Sequence, residues 1–262
     1  MKPFKDFPKD NARKLKYILF DIDDTVTENG RLLPDAFQAM WDLSRQGIGV
    51  IPVTGRPAGW CDLIIRQWPV DAVVGENGAF CFYLQGGRME KLLHPFVCSD
   101  VKERLEQIRE ACIREVPGCR AAKDQFSRLY DLAIDFNEDE PRLGLDAAYK
   151  IKSVCESYGA QAKVSSIHVN TWFGKYDKLS MVKLLFEQVF REDSIKEKSL
   201  FFGDSPNDEP MFAFFSNSCA VANIKPFLDK LINYPAYISD KENGHGFSES
   251  VGLLLGWITE GK

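Results

Sequence analysis

The sequence lacks the features that would mark a zinc protein, a membrane protein or a nucleic-acid binder. Histidine occurs only three times and none of the seven cysteines forms a CxxC pair, so zinc-ligand spacing is missing. The cysteines (61, 81, 98, 112, 119, 155 and 219) are odd in number and scattered, which fits a reduced chain rather than a disulfide scaffold. No apolar run reaches membrane-spanning length, and Met1 is followed by Lys-Pro-Phe-Lys-Asp rather than an apolar leader. The expectation is a soluble, cytoplasmic protein with no membrane partner. A formal charge of -5 without a basic stripe argues against nucleic acid, and repeats and low-complexity tracts are missing. Nothing in the sequence fixes an oligomeric state. What is present is ordinary globular material: 262 residues, 45% hydrophobic and 27% charged, enough for one large domain or two smaller ones.

Residues 1–14, with Pro3, Pro8 and four lysines, read as a loosely ordered extension. From Leu15 the texture is that of a parallel sheet. An apolar run from Tyr17 to Phe20 is followed by a helix opened by Pro34 and Asp35, then by a strand through Ile48–Val53, where Pro52 lacks a ladder donor. A helix through Leu63, Ile64 and Trp68 and a third strand at Ala72-Val73-Val74 complete the pattern. This alternation predicts right-handed βαβ units in an α/β, Rossmann-like core. After Asn77-Gly78 the pattern changes to a hairpin running to Leu93 and a helix begun by Ser99 or Asp100. A strand near Arg128–Phe136, a helix over about 145–158 and a strand from Ala162 to Val169 follow. Residues 84–171 therefore read as an α+β unit inserted into a core made of 15–83 and 172–262. In the returning segment Asp177 caps a helix, and Ser199–Phe202 is a buried strand ending in Gly203-Asp204.

The stretch Tyr17-Ile18-Leu19-Phe20-Asp21-Ile22-Asp23-Asp24-Thr25 organises the rest. A buried strand ends in three carboxylates and a hydroxyl, and side chains two apart on an extended chain project together. Asp21 and Asp23 side by side in a crevice repel, unless a cation lies between them or one keeps its proton. Either remedy is useful chemistry: a carboxylate can attack phosphorus and an acid can protonate a leaving oxygen. An acidic turn capping a helix is the plainer account of this stretch alone. Two other apolar strands end in Thr54-Gly55-Arg56 and in Gly203-Asp204, and the ends of parallel strands share the ligand-binding edge of such a sheet. Lys178 heads a helix, against the preference for anions at that end; a neighbouring anion or simple solvation explains it.

In order, DIDDT, TGR, a lysine heading a helix and GDSPND resemble the haloacid dehalogenase superfamily of phosphohydrolases, over essentially the whole chain. The place of the insertion is similar to the type IIB cap of the Cof-like branch, which acts on phosphorylated sugars and related small metabolites. Pro206 departs from the small residues often found there; similar versions occur among mannosyl-phosphoglycerate phosphatase relatives, a hint about substrate. The resemblance implies that Asp21 is the nucleophile and that Asp23 is the acid and base, its carbonyl facing the metal. Thr54, with Gly55 and Arg56, and Lys178 would meet the phosphoryl group, and Asn207 the phosphate or a metal-bound water. Mg²⁺ would be held by Asp21, Asp23, Asp204 and Asp208. The implied partner is a small phosphorylated substrate.

Other residues carry two readings each. Thr25 is expected to fix loop geometry, and Asp24 to be a loop charge or to stand in an outer metal shell. Arg56 pairs with an acid or reaches the substrate, and Asn77 is a turn residue or a substrate contact. His168, sharing a strand face with Ser166 and Asn170, is a candidate for substrate contact. Arg128 and Lys123 would meet a second anionic group or, more plainly, solvent. The function expected is Mg²⁺-dependent hydrolysis of a phosphosugar through an aspartyl-phosphate, under a cap that closes on linkers near Tyr83 and at 171–175. The alternatives are a phosphomutase on the same scaffold, or a silent phosphometabolite sensor.

Overall fold

The structure is a computed structural model that describes residues 1–98, 101–165 and 167–260. Its centre is a six-stranded sheet, all neighbours parallel, in the order Lys2–Pro3, Tyr237–Ile238, Ser218–Ala220, Ser199–Gly203, Tyr17–Phe20, Gly49–Pro52. Successive residues of the central strands face opposite sides. Ile18, Phe20, Leu200 and Phe202 enter one core, under the helices Pro34–Arg45 and Asn243–Thr259. Leu19, Ile51 and Phe201 enter the other, under Lys178–Leu185 and Glu209–Phe214. Burial on both faces is why these strands read as unbroken apolar runs.

Pro52 fits because of where its missing donor falls. The Val53 N–H donates to Phe20, whereas the Val50 and Thr54 N–H groups face the strand Ala72–Gly75. Pro52 shares that second side, where the strands meet at a single bridge, Val53 to Val74. The antiparallel strands Phe80–Gln85 and Arg88–Leu93 extend Ala72–Gly75, and Met89 and Leu92 pack on the two cores of the large sheet. The hairpin thus belongs with the large sheet, although residues from Leu84 onward were expected in the inserted unit.

That unit is a four-stranded antiparallel sheet, in the order Gln161–Val164, His168–Trp172, Asp131–Asp135, Arg120–Ala121. The helices Lys102–Glu115 and Gly144–Ser157 cover it over a core of its own. The single strand expected from Ala162 to Val169 is a hairpin. Ser165 closes its turn, its N–H donating to the His168 carbonyl at 2.8 Å while its hydroxyl accepts the His168 N–H at 3.0 Å. Ser99 and Asp100, expected to start a helix, and Ser166, expected beside His168, lie outside the described residues.

The first 14 residues are not a loose extension. Lys2–Pro3 is the edge strand of the main sheet, and Phe4 and Phe7 are each 2% exposed, with ring centroids 6.2 and 6.3 Å from that of Trp257. Burying each phenylalanine stabilises by about 1.5–3 kcal/mol, enough to order a short segment. Among the described residues no helix is long and apolar enough to cross a membrane.

Candidate active site

The carboxyl ends of the central strands bring the sequence-distant acids together. Asp21 leaves the strand Tyr17–Phe20 with its N–H donated to the Phe202 carbonyl at 3.0 Å, fixing it beside the strand that delivers Asp204. Gly203 lacks a Cβ where one would stand 2.5 Å from an Asp208 oxygen, so the short turn Pro206–Asp208 can fold back and Asp208 can accept the Asp204 N–H at 3.2 Å. Asp21, Asp204 and Asp208 present oxygens that all lie within 4.8 Å of one another. Lys178 donates to Asp21 and to Asp208, both at 3.0 Å. Its helix starts here because Asp177 and Ser180 form a reciprocal capping box. The turn at 76–78 packs against that start: Gly78 has φ +104°, and a Cβ there would collide with the Asp177 carbonyl.

All four charged groups are buried, and the three acids have a single ammonium among them, which bonds Asp21 and Asp208. Burial, with Asp208 and Asp23 adding to it against Lys178, lifts the Asp21 carboxyl to about 7. Burial and the neighbouring Asp208, Asp21 and Asp24 push Asp204 well above the usual carboxylate range. Burial works to deprotonate Lys178, but Asp208 and Asp21 overcome it and hold the ammonium charged. Three close carboxylate oxygens with a charge deficit suit a hard dication. Thr25, expected only to shape the loop, donates its hydroxyl to Asp204 at 3.1 Å and so orients one of these oxygens.

Asp23 stands apart from this cluster. Its carboxylate, expected to act as acid and base while its carbonyl faces the metal, is gripped by Arg56 at 2.8–3.1 Å. Arg56 is 2% exposed, lies over the Trp60 ring at 4.3 Å and also donates to Asp124 (3.3 Å) and Glu138 (3.1 Å) of the four-stranded unit. Of its two readings, the structural ion pair is the one seen, and it ties the two units together. Glu138 in turn meets His168 Nε2 at 2.8 Å; this bond, with the charges of His168 and Arg56, holds its carboxyl down at about 2. Thr54, expected to donate to the phosphoryl group, is fully buried; its hydroxyl accepts the Arg56 N–H at 3.0 Å, and it does not border the hollow above Asp21.

That hollow is bordered by Gly55, Arg56, Asn77, His168, Asn170 and Asn207, so the remaining predicted residues do converge on Asp21. Asn77 also donates to Asp131 at 3.4 Å, and Asn170 to the Gly55 carbonyl at 3.1 Å. Asn207 accepts the Ser205 hydroxyl at 2.9 Å. Asp24 sits in the loop with φ 56°, its carbonyl held by Asn223 at 2.9 Å. Lys123 is the solvated charge expected, paired with Asp139.

Arg128 is not. Its side chain is wholly buried, donating to Asp131 and to the Gly55 carbonyl, both at 2.9 Å. Glu76, read as part of a turn, is also buried and accepts four backbone N–H groups: Ala58 and Leu129 on one oxygen, Tyr130 and Asp131 on the other. Burial and Asp131 raise its carboxyl to about 7 against the pull of these amides and Arg128. No local pattern marks Glu76, three of whose amide partners lie more than fifty residues away, and the spacing of Arg128 from Asp124 and Asp131 does not say that all three are buried.

A parallel α/β sheet thus gathers buried acids around one lysine at its strand ends. The family model for haloacid dehalogenase-like hydrolases matches residues 18–114 and 146–250, and the chain belongs to that family. No curated protein matches the sequence. Solved structures share the fold at low identity. The C-terminal domain of C. albicans trehalose-6-phosphate phosphatase is 17% identical with a TM-score of 0.73, covering 98% of each chain. Thermoplasma acidophilum 0175 is 18% identical with a TM-score of 0.71, covering 92% of this chain and 98% of its own. A subclass IIB sugar phosphatase of the same superfamily is 14% identical with a TM-score of 0.63, covering 90% and 98%.

Proposed function

We propose that this protein is a Mg²⁺-dependent phosphatase that releases inorganic phosphate from a small phosphorylated metabolite, a sugar phosphate. The observation that carries the reading is Asp21, buried against Lys178 and within ligand distance of Asp204 and Asp208. The sugar phosphatase and trehalose-6-phosphate phosphatase among the structural neighbours support the substrate class.

Asp21 attacks phosphorus in line, and its Oδ–P bond forms as the bond to the leaving alcohol breaks. Lys178 already touches Asp21, so its ammonium is in reach of the phosphoryl oxygens on which charge builds. Asp23 delivers a proton to the departing oxygen, then takes one from the water that attacks the aspartyl-phosphate, freeing phosphate and Asp21. To do so its carboxylate must turn part-way from Arg56, whose charge is shared with Asp124 and Glu138. Mg²⁺, held by Asp21, Asp204 and Asp208, would supply the positive charge that these acids and the phosphate lack. Thr25 keeps Asp204 aimed, while Asn77 and Asn207 offer amide donors at the rim.

The test is release of free phosphate from a panel of sugar phosphates, with and without Mg²⁺ and chelator. Turnover that survives excess chelator sinks the metal role, and an isomerised sugar phosphate in place of free phosphate would mark a mutase. Equal, negligible release by the wild type and Asp21→Asn over the whole panel would remove the enzymatic reading.

A further inference from the structure

Beside the hollow above Asp21 opens a cleft of about 910 Å³ between the large sheet and the four-stranded unit. It is bordered by Asp23 and Asn207 at its inner end and by Tyr149 and Phe227 farther out. Its charge is unusual for a chain with a formal charge of -5. Four acids stand on its walls, Asp23, Asp24, Glu138 and Glu156; Arg56 holds Asp23 and Glu138, and Glu156 pairs with Lys152 at 3.3 Å. Arg31, Lys163 and Lys230 also border it, and among the described residues none of the three has a carboxylate within 4.0 Å.

These cations come from three separate pieces of the chain. Arg31 belongs to the small hairpin that follows the DIDDT loop, and Lys163 to the strand Gln161–Val164. Lys230 ends the segment Ala222–Lys230 and lies 5.8 Å from the Tyr149 ring across the cleft. Lys163 holds the most telling position. It borders the hollow above Asp21, the wide cleft and the gap beside Lys178, so this exposed residue stands between the reacting centre and the space for the leaving group. Charges converging from distant segments without acids to pair with create a positive field that concentrates an anionic ligand.

We infer that the part of the substrate that leaves carries a second negative charge, a carboxylate or another phosphate, met by Lys163 together with Arg31 and Lys230. The orientation, with one phosphate at Asp21 and the second anion outward, rests on the phosphatase reading; the preference for a ligand with a second anionic group does not. An uncharged sugar in this cleft would leave Arg31, Lys163 and Lys230 without an anion, Lys230 meeting only the Tyr149 and Phe227 rings. A second anion gains charge-assisted hydrogen bonds from them.

The experiment is calorimetric titration of full-length Asp21→Asn protein with Mg²⁺, against glucose 6-phosphate, 3-phosphoglycerate and fructose 1,6-bisphosphate. At least one ligand with a second anionic group should bind about tenfold more tightly than glucose 6-phosphate, and the arm that wins separates carboxylate from second phosphate. The preference should shrink as salt rises from about 50 to about 500 mM. Adding Lys163→Met should reduce the ratio of the two affinities by about fivefold, and Lys163→Arg should retain it. Glucose 6-phosphate binding as well as both others, no binding of any of the three, or a ratio untouched by Lys163→Met would each overturn the inference. Failure of the wild type to release phosphate from any ester, with the binding preference intact, would fault the phosphatase reading alone.

Discussion

Two groups of buried charge lie within a few residues of each other, and they differ in how their acids are satisfied. At the junction of the two units every acid has donors of its own: Glu76 has four backbone amides, Asp131 has Arg128, Asn77 and Asn170, and Glu138 has His168 and Arg56. At the strand ends Asp21 has Lys178, Asp204 has the Thr25 hydroxyl, and Asp208 shares the same lysine. Every acid of the first group is satisfied as it stands, although Arg128 Nη2 is buried without a partner, and breaking the group leaves further buried atoms unpaired. The second group is short of positive charge, which is the state expected of a centre that waits for a cation and a phosphate.

The largest effect that separates them is on turnover. Asp21→Asn should lower phosphate release on the order of a thousandfold or more while leaving the urea midpoint unchanged or higher, since it removes a buried like charge. A variant that lost stability along with activity would place Asp21 with the junction group instead. Next comes Arg56, which bonds Asp23 near the strand-end acids and Glu138 at the junction. Arg56→Met frees Asp23, so the loss should fall hardest where the leaving group needs a proton. The rate ratio of an alkyl phosphate to p-nitrophenyl phosphate should drop about tenfold or more. A ratio that stays fixed would make Arg56 a brace between units and nothing further.

Glu76→Gln is the matching test on the junction. The glutamine keeps one acceptor oxygen for two of the four amides but turns its own NH₂ against the others, at Tyr130 and Asp131 in one rotamer. The expected cost is about 2–3 kcal/mol in urea unfolding. A change below about 0.5 kcal/mol would show that these amides do not depend on the carboxylate.

How much of this was legible follows from how far each partner lies. Asp21, Asp204 and Lys178 stand out because a strand end or helix start is written in the few residues around each, and the parallel sheet then assembles them. Pro52 weakened a strand reading that was correct, because sequence does not say on which side of a strand a missing N–H falls. The run from Ala162 to Val169 alternates smoothly enough to hide a turn that Ser165 makes by bonding back to His168. Phe4 and Phe7 were visible only as two rings in a polar segment; their partner Trp257 is at the other end of the chain. Glu76 was unreadable for the same reason, and Arg128 because its near neighbours Asp124 and Asp131 look as solvated in sequence as it does.

The smallest effect, on pH, sharpens the contrast most. The Asp21 carboxyl stands at about 7 in the fold against an ordinary 3.8, so the folded protein holds the proton more tightly than the unfolded chain. Its contribution to stability is therefore full below 3.8 and is lost as pH rises through about 7. Asp204 acts in the same direction, and so does Glu76, raised from 4.5 to about 7. Glu138 runs the other way: held at about 2 against 4.5, it contributes above 4.5 and loses that as pH falls through about 2. Metal-free protein should thus lose stability between pH 5 and pH 8 by urea titration. Saturating Mg²⁺ should remove the part due to Asp21 and Asp204, because a cation binds their ionised forms, and leave the part due to Glu76. Asp204→Asn should reduce the metal-free slope, and Glu138→Gln should leave it untouched in that range. A slope equally steep with and without Mg²⁺ would mean that the pH response belongs wholly to the junction, and that the strand-end acids need no added charge.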